Sequence, residues 1–293
     1  MGRFDWCRYL IVATLLFAAG TPVRADDATL DLDAIIKGIE GGDVWLKQKS
    51  WKVRYTNART RVHPPPKAMF EWPDAEVVNA RKGDWLFAHV RQSSIDRPAT
   101  VLDHWMLWRD GKCTDRHGAG VLTFDDPKQM ASYFWYPNLL MRDDMVSLLK
   151  VPKFAYLLDP ELSKVLPWCL QANKKEYKVR EQLEEIDGAK CHVVELPGQD
   201  TLWIDAKHGF QVRQRTLFQK SGQPLTELRA TDFREHAPGV WLPTRQLAVA
   251  FNFDSDPKEY RGRVRFVMTN TLLEASFKEL PDDLFAVPEP KKR

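Results

Sequence analysis

The sequence predicts a mainly β protein with some α structure: a strongly curved antiparallel sheet covered by an N-terminal helix and by one helical insertion. Three observations carry this. Apolar and polar residues alternate over many short stretches, the period of half-buried strands. The stretches are punctuated by Asp110-Gly111, Asp187-Gly188, Ser221-Gly222 and Pro238-Gly239, which suit tight reversals. Helical spacing is confined to two places.

The first is Asp31 to Trp45, where Leu32, Ile35, Ile36, Ile39 and Leu46 recur at helical intervals behind acidic residues that suit a helix N-terminus. This helix is expected to end near Gly41-Gly42. From Trp51 the period becomes two, with Trp51, Val53 and Tyr55 alternating with Lys52, Arg54 and Thr56 until Pro64-Pro65-Pro66. Further strands are expected over Asp84 to Gln92 and Asp103 to Trp108, the latter turning back at Asp110-Gly111. The second helical stretch is an insertion at about 125–175, where Met130, Phe134, Leu139, Leu140, Met145, Leu148 and Leu149 give one or two helices broken at Pro137 and Pro152.

The second half is a meander. Strands are expected over Tyr177–Leu183, Cys191–Leu196, Thr201–Asp205, Phe210–Phe218, Leu225–Phe233, Val240–Phe253 and Arg263–Leu272. A sheet with this many strands must curl or close to limit its edges, and the two helical regions are the material available to cover one face.

Charge is nearly balanced, with 43 basic and 40 acidic residues, which argues against a nucleic-acid partner. The N-terminus combines Arg3 and Arg8 with the uncharged run Tyr9 to Gly20 and small residues at Val23 and Ala25. That pattern predicts a signal peptide over residues 1–25, cleaved after Ala25, and a periplasmic or otherwise exported mature chain over residues 26–293. The apolar run is shorter than the roughly 20 residues a membrane-spanning helix needs. Cys113, Cys169 and Cys191 lie beyond the leader, an odd number that permits at most one intramolecular disulfide. Cys169–Cys191 is the first choice of pair, the alternative being three buried thiols.

The order of parts resembles a bacterial family. A helix, a strand, the hairpin around Leu107-Trp108-Arg109-Asp110-Gly111-Lys112, a helical insertion and a long meander ending in Leu280-Pro281-Asp282-Asp283-Leu284-Phe285 look like the LolA-type outer-membrane lipoprotein-sorting carriers. Asp200-Thr201-Leu202-Trp203-Ile204-Asp205 and Gly239-Val240-Trp241-Leu242-Pro243 are similar to an exported branch of that fold. The resemblance implies an unclosed β-barrel whose apolar concave interior holds the acyl chains of a lipid or lipidated protein. Helices act as its lid, and a membrane-associated donor or acceptor is its partner. No cofactor and no enzymatic activity are expected. A related branch senses envelope stress. The chain is longer than the carriers, chiefly over Thr123 to Lys175. The carriers' lid-locking arginine has no clear match: Arg54 is nearest by position and also reads as an ordinary exposed strand residue.

The residues themselves offer an apolar lining. Alternation puts Trp51, Val53 and Tyr55 on one strand face, Phe210, Val212 and Phe218 on another, Leu247, Val249 and Phe251 on a third, and Val264, Phe266 and Met268 on a fourth. These twelve are the candidate ligand-binding residues, and Phe134, Trp135, Leu139, Leu140 and Met145 are the candidate lid. The same faces suit a packed core equally well. His104, Cys113 and His117 lie near one hairpin but lack a second pair at zinc-site spacing, so no metal is assigned. No nucleophile elbow, phosphate loop or zinc-protease motif occurs. The adjacent carboxylates Asp125-Asp126, Asp143-Asp144, Glu184-Glu185 and Asp282-Asp283 read as solvated charge at turns and helix starts. An exported enzyme with a site assembled from scattered residues, or a protein-binding module with a filled core, are the alternatives.

Overall fold

The computed structural model describes residues 30–42, 48–62, 75–93, 101–117, 120–124 and 165–286. The leader and the candidate lid residues lie outside them. Helix α1 covers Leu32–Gly42 and helix α2 covers Val165–Ala172. Six strands precede α2: β1 (Ser50–Arg61), β2 (Ala75–Lys82), β3 (Trp85–Ser93), β4 (Val101–Arg109), β5 (Lys112–His117) and β6 (Gly120–Phe124). Eight follow: β7 (Lys178–Val179), β8 (Glu184–Ile186), β9 (Ala189–Leu196), β10 (Asp200–Asp205), β11 (Gln211–Phe218), β12 (Pro224–Ala237), β13 (Val240–Phe251) and β14 (Val264–Ser276).

Every strand pairing is antiparallel, and the strands form one sheet in the order β6-β5-β4-β3-β2-β1-β14-β13-β12-β11-β10-β9-β7, with β8 on β9. The order ends in β6 on one side and β7 on the other, so the sheet is not closed. One long-range step, β1 on β14, joins the two meanders. The expected architecture of a curved, unclosed antiparallel sheet is what the pairing shows. Asp110 and Gly111 (φ 53° and 75°) and Asp187 and Gly188 (φ 50° and 75°) take the left-handed conformations that primed hairpin turns demand.

Three positions differ from expectation. Strand β2 was not anticipated, because Ala75-Glu76-Val77-Val78-Asn79-Ala80-Arg81-Lys82 buries Val77 and Asn79 on one face and Ala80 on the other, so its alternation is blurred. Tyr177–Leu183 is expected as a strand but supplies only the two residues of β7. Cys191 is a free, buried thiol, not half of a pair with Cys169. Its Sγ donates to the Ala189 carbonyl at 3.5 Å.

The core has three parts. Leu32, Ile35, Ile36 and Ile39 of α1 and Leu166 and Leu170 of α2 pack on Val194, Leu196, Leu202, Ile204, Val212 and Ala230 of β9 to β12. Each such isoleucine contributes roughly 1.5–3 kcal/mol relative to exposure. The Asp31 carboxylate accepts from the Ala34 N–H at 2.7 Å and caps the start of α1. Gly38 lets this helix approach: a Cβ there would lie 2.3 Å from the Phe210 ring. A second cluster joins Trp51, Val53, Tyr55, Val77, Leu86, Ala88, Met106, Cys113, Val240 and Leu242 on the same face of β1 to β5 and β13. A third lies on the opposite face, where Leu280 and Phe285 of the C-terminal segment cover Ala80, Phe87 and Leu107.

Burial pushes the Cys113 thiol up to about 11 and the Cys191 thiol up to about 12, so neither is a thiolate at neutral pH. Alkylation by iodoacetamide at pH 8 should therefore leave both unmodified in the native chain and modify both in denaturant. Rapid native labelling of Cys191, read by peptide mass mapping, would contradict its place in the core.

Candidate functional site: the concave face

The face covered by α1 and α2 is termed the concave face of the curved sheet, and the strand register defines what lies on it. Asn57 of β1 opposes Asn270 of β14, which opposes Gln246 of β13, which opposes Ala230 of β12 under α1. This rung is mostly amide, and all four residues are buried. Asn57 Nδ2 donates to Asn270 Oδ1 at 2.5 Å, as a polar group removed from water requires. On one side of the rung lies the apolar cluster of Trp51, Val53 and Tyr55. On the other side two further rungs cross the same face.

The first runs Arg59, Met268, Ala248, Leu228, Arg215, Leu202 and Val194. The second runs Arg61, Phe266, Ala250, Thr226, Leu217, Asp200 and Leu196. Their β9 to β11 part lies in and beside the helix-covered core. Their β13 and β14 part carries the half-buried Phe266 and Met268 beside the small Ala248 and Ala250.

One charged pair sits on the helix-covered floor, and a second charged group lies at the end of β10. Arg215, 1 % exposed, donates Nε to Asp200 Oδ1 at 3.1 Å and Nη2 to Asp200 Oδ2 at 2.7 Å, and Tyr177 Oη donates to the same carboxylate at 3.3 Å. The bidentate fork and the phenol satisfy a carboxylate that burial alone would penalise. Asp205 is as buried and accepts Arg213 Nε at 2.6 Å and the His208 backbone N–H at 3.2 Å. Its side chain caps the short 3-10 turn over Ala206–His208, and His208 Nδ1 lies 2.6 Å from it. Burial holds His192, beside Ile204, below its ordinary value and so neutral at pH 7.

The structure separates the twelve candidate lining residues. Trp51, Val53 and Tyr55 are fully buried on the concave face. Val212 is core beneath α1, and the Phe210 ring lies against Gly38. Phe266 and Met268 lie on the concave rungs. Leu247 opposes Arg229 and Thr269, and Val249 opposes Glu227 and Val267, so both belong to the convex face. Phe251 pairs with Val264 beyond an irregularity in β13 and β14, and Phe218 pairs with Pro224 beyond one in β11 and β12.

Several of the other singled-out residues have structural partners. Arg54 is on the convex face, with Glu76 at 3.2 Å and Glu274 at 3.7 Å. His104 Nε2 lies 2.5 Å from Asp115 Oδ1, and Cys113 is enclosed in the core. Two of the carboxylates read as solvated are ion-paired: Glu184 with Arg180, and Asp282 with Lys82, each at 2.5 Å. Glu184 also accepts Trp203 Nε1 at 2.7 Å. The Asp200–Arg215 pair had no sequence signal beyond a polar residue in each of two apolar strands.

No protein-family model and no curated protein matches this chain. Among solved structures, 22 chains match. A DUF1329 family protein from Desulfovibrio piger is similar at 14 % identity and a TM-score of 0.45, over 87 % of this chain and 97 % of that one. A LolA superfamily protein from Nitrosomonas europaea is similar at 13 % and 0.43, over 88 % and 98 %. A structure described as an outer membrane lipoprotein-sorting protein domain, from Vibrio parahaemolyticus, is similar at 9 % and 0.43, over 87 % and 97 %. With TM-scores under 0.5, these likenesses leave the architecture resting on the pairing of the chain's own strands. Among the described residues, no helix is long and apolar enough to cross a membrane.

Proposed function

We propose that this chain binds a lipid or an acylated ligand on the concave face of its unclosed sheet, outside the cytoplasm, as a carrier or a sensor. The observation that carries the reading is the pair of rungs on β14 and β13, where Phe266 and Met268 stand half-buried beside Ala248 and Ala250. Large apolar side chains next to small ones on a concave sheet make a trough that an alkyl chain fills without leaving any polar group unsatisfied. Helices α1 and α2 fill the β9 to β12 part of the same face, so the trough is bounded on that side by core. The sequence adds an export leader ending at Ala25 and an order of elements resembling lipoprotein carriers. The chemistry is binding, with partners that are lipid or lipidated protein and a membrane-associated donor or acceptor.

Protein purified from a cell envelope without detergent should begin at Asp26 and release stoichiometric lipid on solvent extraction, with the matching mass in native spectra. A clean apo mass, together with no saturable uptake of a fluorescent fatty acid, would overturn the reading.

A further inference from the structure

The turn between β13 and β14 is pinned by its own backbone and by the turn beside it. The Asn252 N–H donates to the Arg263 carbonyl at 2.9 Å, and the Asn252 carbonyl accepts Gln219 Nε2, from the turn between β11 and β12, at 3.0 Å. The Asp254 N–H donates to Gln219 Oε1 at 2.6 Å, and the Asp254 carboxylate accepts Ser221 Oγ at 2.8 Å and the Ser221 N–H at 3.3 Å. The Phe253 N–H donates to Asp256 Oδ2 at 2.7 Å. The two turns therefore form one tip.

Phe253 stands between two anchored residues and is nevertheless 43 % exposed, so the turn itself holds an aromatic ring out in water. The Arg265 guanidinium lies over that ring at 5.4 Å, within cation–π range. Val62, exposed to the same degree, donates its N–H to the Arg265 carbonyl at 3.1 Å. The tip is basic: Lys220, Lys258, Arg261, Arg263 and Arg265 stand against Asp254, Asp256 and Glu259. Asp254 and Asp256 spend carboxylate oxygens on donors within the tip, whereas Lys220, Lys258, Arg261 and Arg263 are exposed. Phe266 and Met268 follow Arg265 along β14, so the tip lies at their end of the sheet.

We propose that this tip docks the chain on an anionic bilayer surface, with Phe253 and Val62 entering the headgroup region and the basic side chains set against lipid phosphates. Exposed apolar side chains among arginine and lysine suit that interface, where apolar surface leaves water and each cation gains from the negative surface potential. The docking goes beyond lipid binding in the trough, because it concerns a membrane surface and a different part of the molecule, and either can stand without the other.

The test sediments the exported chain with vesicles of phosphatidylcholine alone and of phosphatidylcholine with an equal part of phosphatidylglycerol. Wild type should sediment with the anionic vesicles only, and less as salt is raised. Lys258→Gln/Arg263→Gln should weaken that binding about thirtyfold, or about fivefold for each cation lost near such a surface. Phe253→Ser should weaken it at least about fivefold. Lys112→Gln/Lys278→Gln removes the same charge from exposed positions at the opposite end of the strands and should bind as wild type does. All three variants should keep the wild-type unfolding midpoint, since the replaced side chains are exposed. Equal binding to both vesicles, undiminished binding in the Lys258 and Arg263 variant, or an equal loss in the Lys112 and Lys278 control overturns the docking. Binding to neither vesicle overturns it too, and leaves a protein as what this tip meets. Uptake of a fluorescent fatty acid by the same samples reports on the trough alone: its absence overturns the lipid-binding reading and not the docking.

Discussion

Replacing Arg215 or Asp200 with alanine should each cost about 3–5 kcal/mol, because either change leaves the opposite charge buried without its partner. Two guanidinium hydrogen bonds go to one carboxylate, both residues are essentially inaccessible, and the Tyr177 phenol donates to the same group. Tyr177→Phe removes only the phenol and should cost about 0.5–1.5 kcal/mol. The double change Arg215→Met with Asp200→Leu should recover much of the loss, since an apolar pair needs no compensation at that position. Urea unfolding of the four variants checks the ranking. Alanine variants of Arg215 or Asp200 within about 1 kcal/mol of wild type would mean that the floor beneath α1 is wetter than this packing allows.

The second large effect is on the convex face. Phe285→Ala should cost about 3–5 kcal/mol, the range for truncating a fully buried aromatic side chain. Phe285 is 0 % exposed and packs on Phe87 at 6.3 Å and Trp85 at 5.9 Å between ring centroids. Its segment is latched on both sides: Lys82 Nζ donates to the Leu280 carbonyl at 2.7 Å, and Ser50 Oγ donates to the Lys278 carbonyl at 3.0 Å. Releasing it uncovers Trp85, Phe87 and Leu107, so dye binding to exposed apolar surface should rise as the unfolding midpoint falls. An unchanged midpoint would contradict the clasp.

Much of the meander was legible in the sequence because its devices are local. The Asp-Gly dipeptides fix hairpins, and the spacing of Ile35, Ile36 and Ile39 fixes which stripe of α1 is buried. The faces were less legible, for a physical reason. Alternation tells which residues share a side of one strand, but which side is concave depends on register with the next strand. Leu247 and Val249 alternate as cleanly as Phe266 and Met268, yet the pairing of Ala248 with Met268 puts them on opposite faces. The C-terminal motif around Leu280 and Phe285 was visible, but not its role in covering the convex face, since Phe87 and Leu107 lie in strands apolar on both sides. The Asp200–Arg215 pair lies in different strands and meets only across β10 and β11.

That separation of faces gives the most direct test of the proposed function. Met268→Asp and Leu247→Asp place the same charge on adjacent strands, one on the concave rung and the other on the convex face. Saturable binding of a fluorescent fatty acid should be present in wild type, persist in Leu247→Asp within about twofold, and weaken at least about tenfold in Met268→Asp, where the carboxylate meets the acyl chain with no partner. Equal losses in the two variants, or undiminished binding in Met268→Asp, would contradict a ligand held on the concave face.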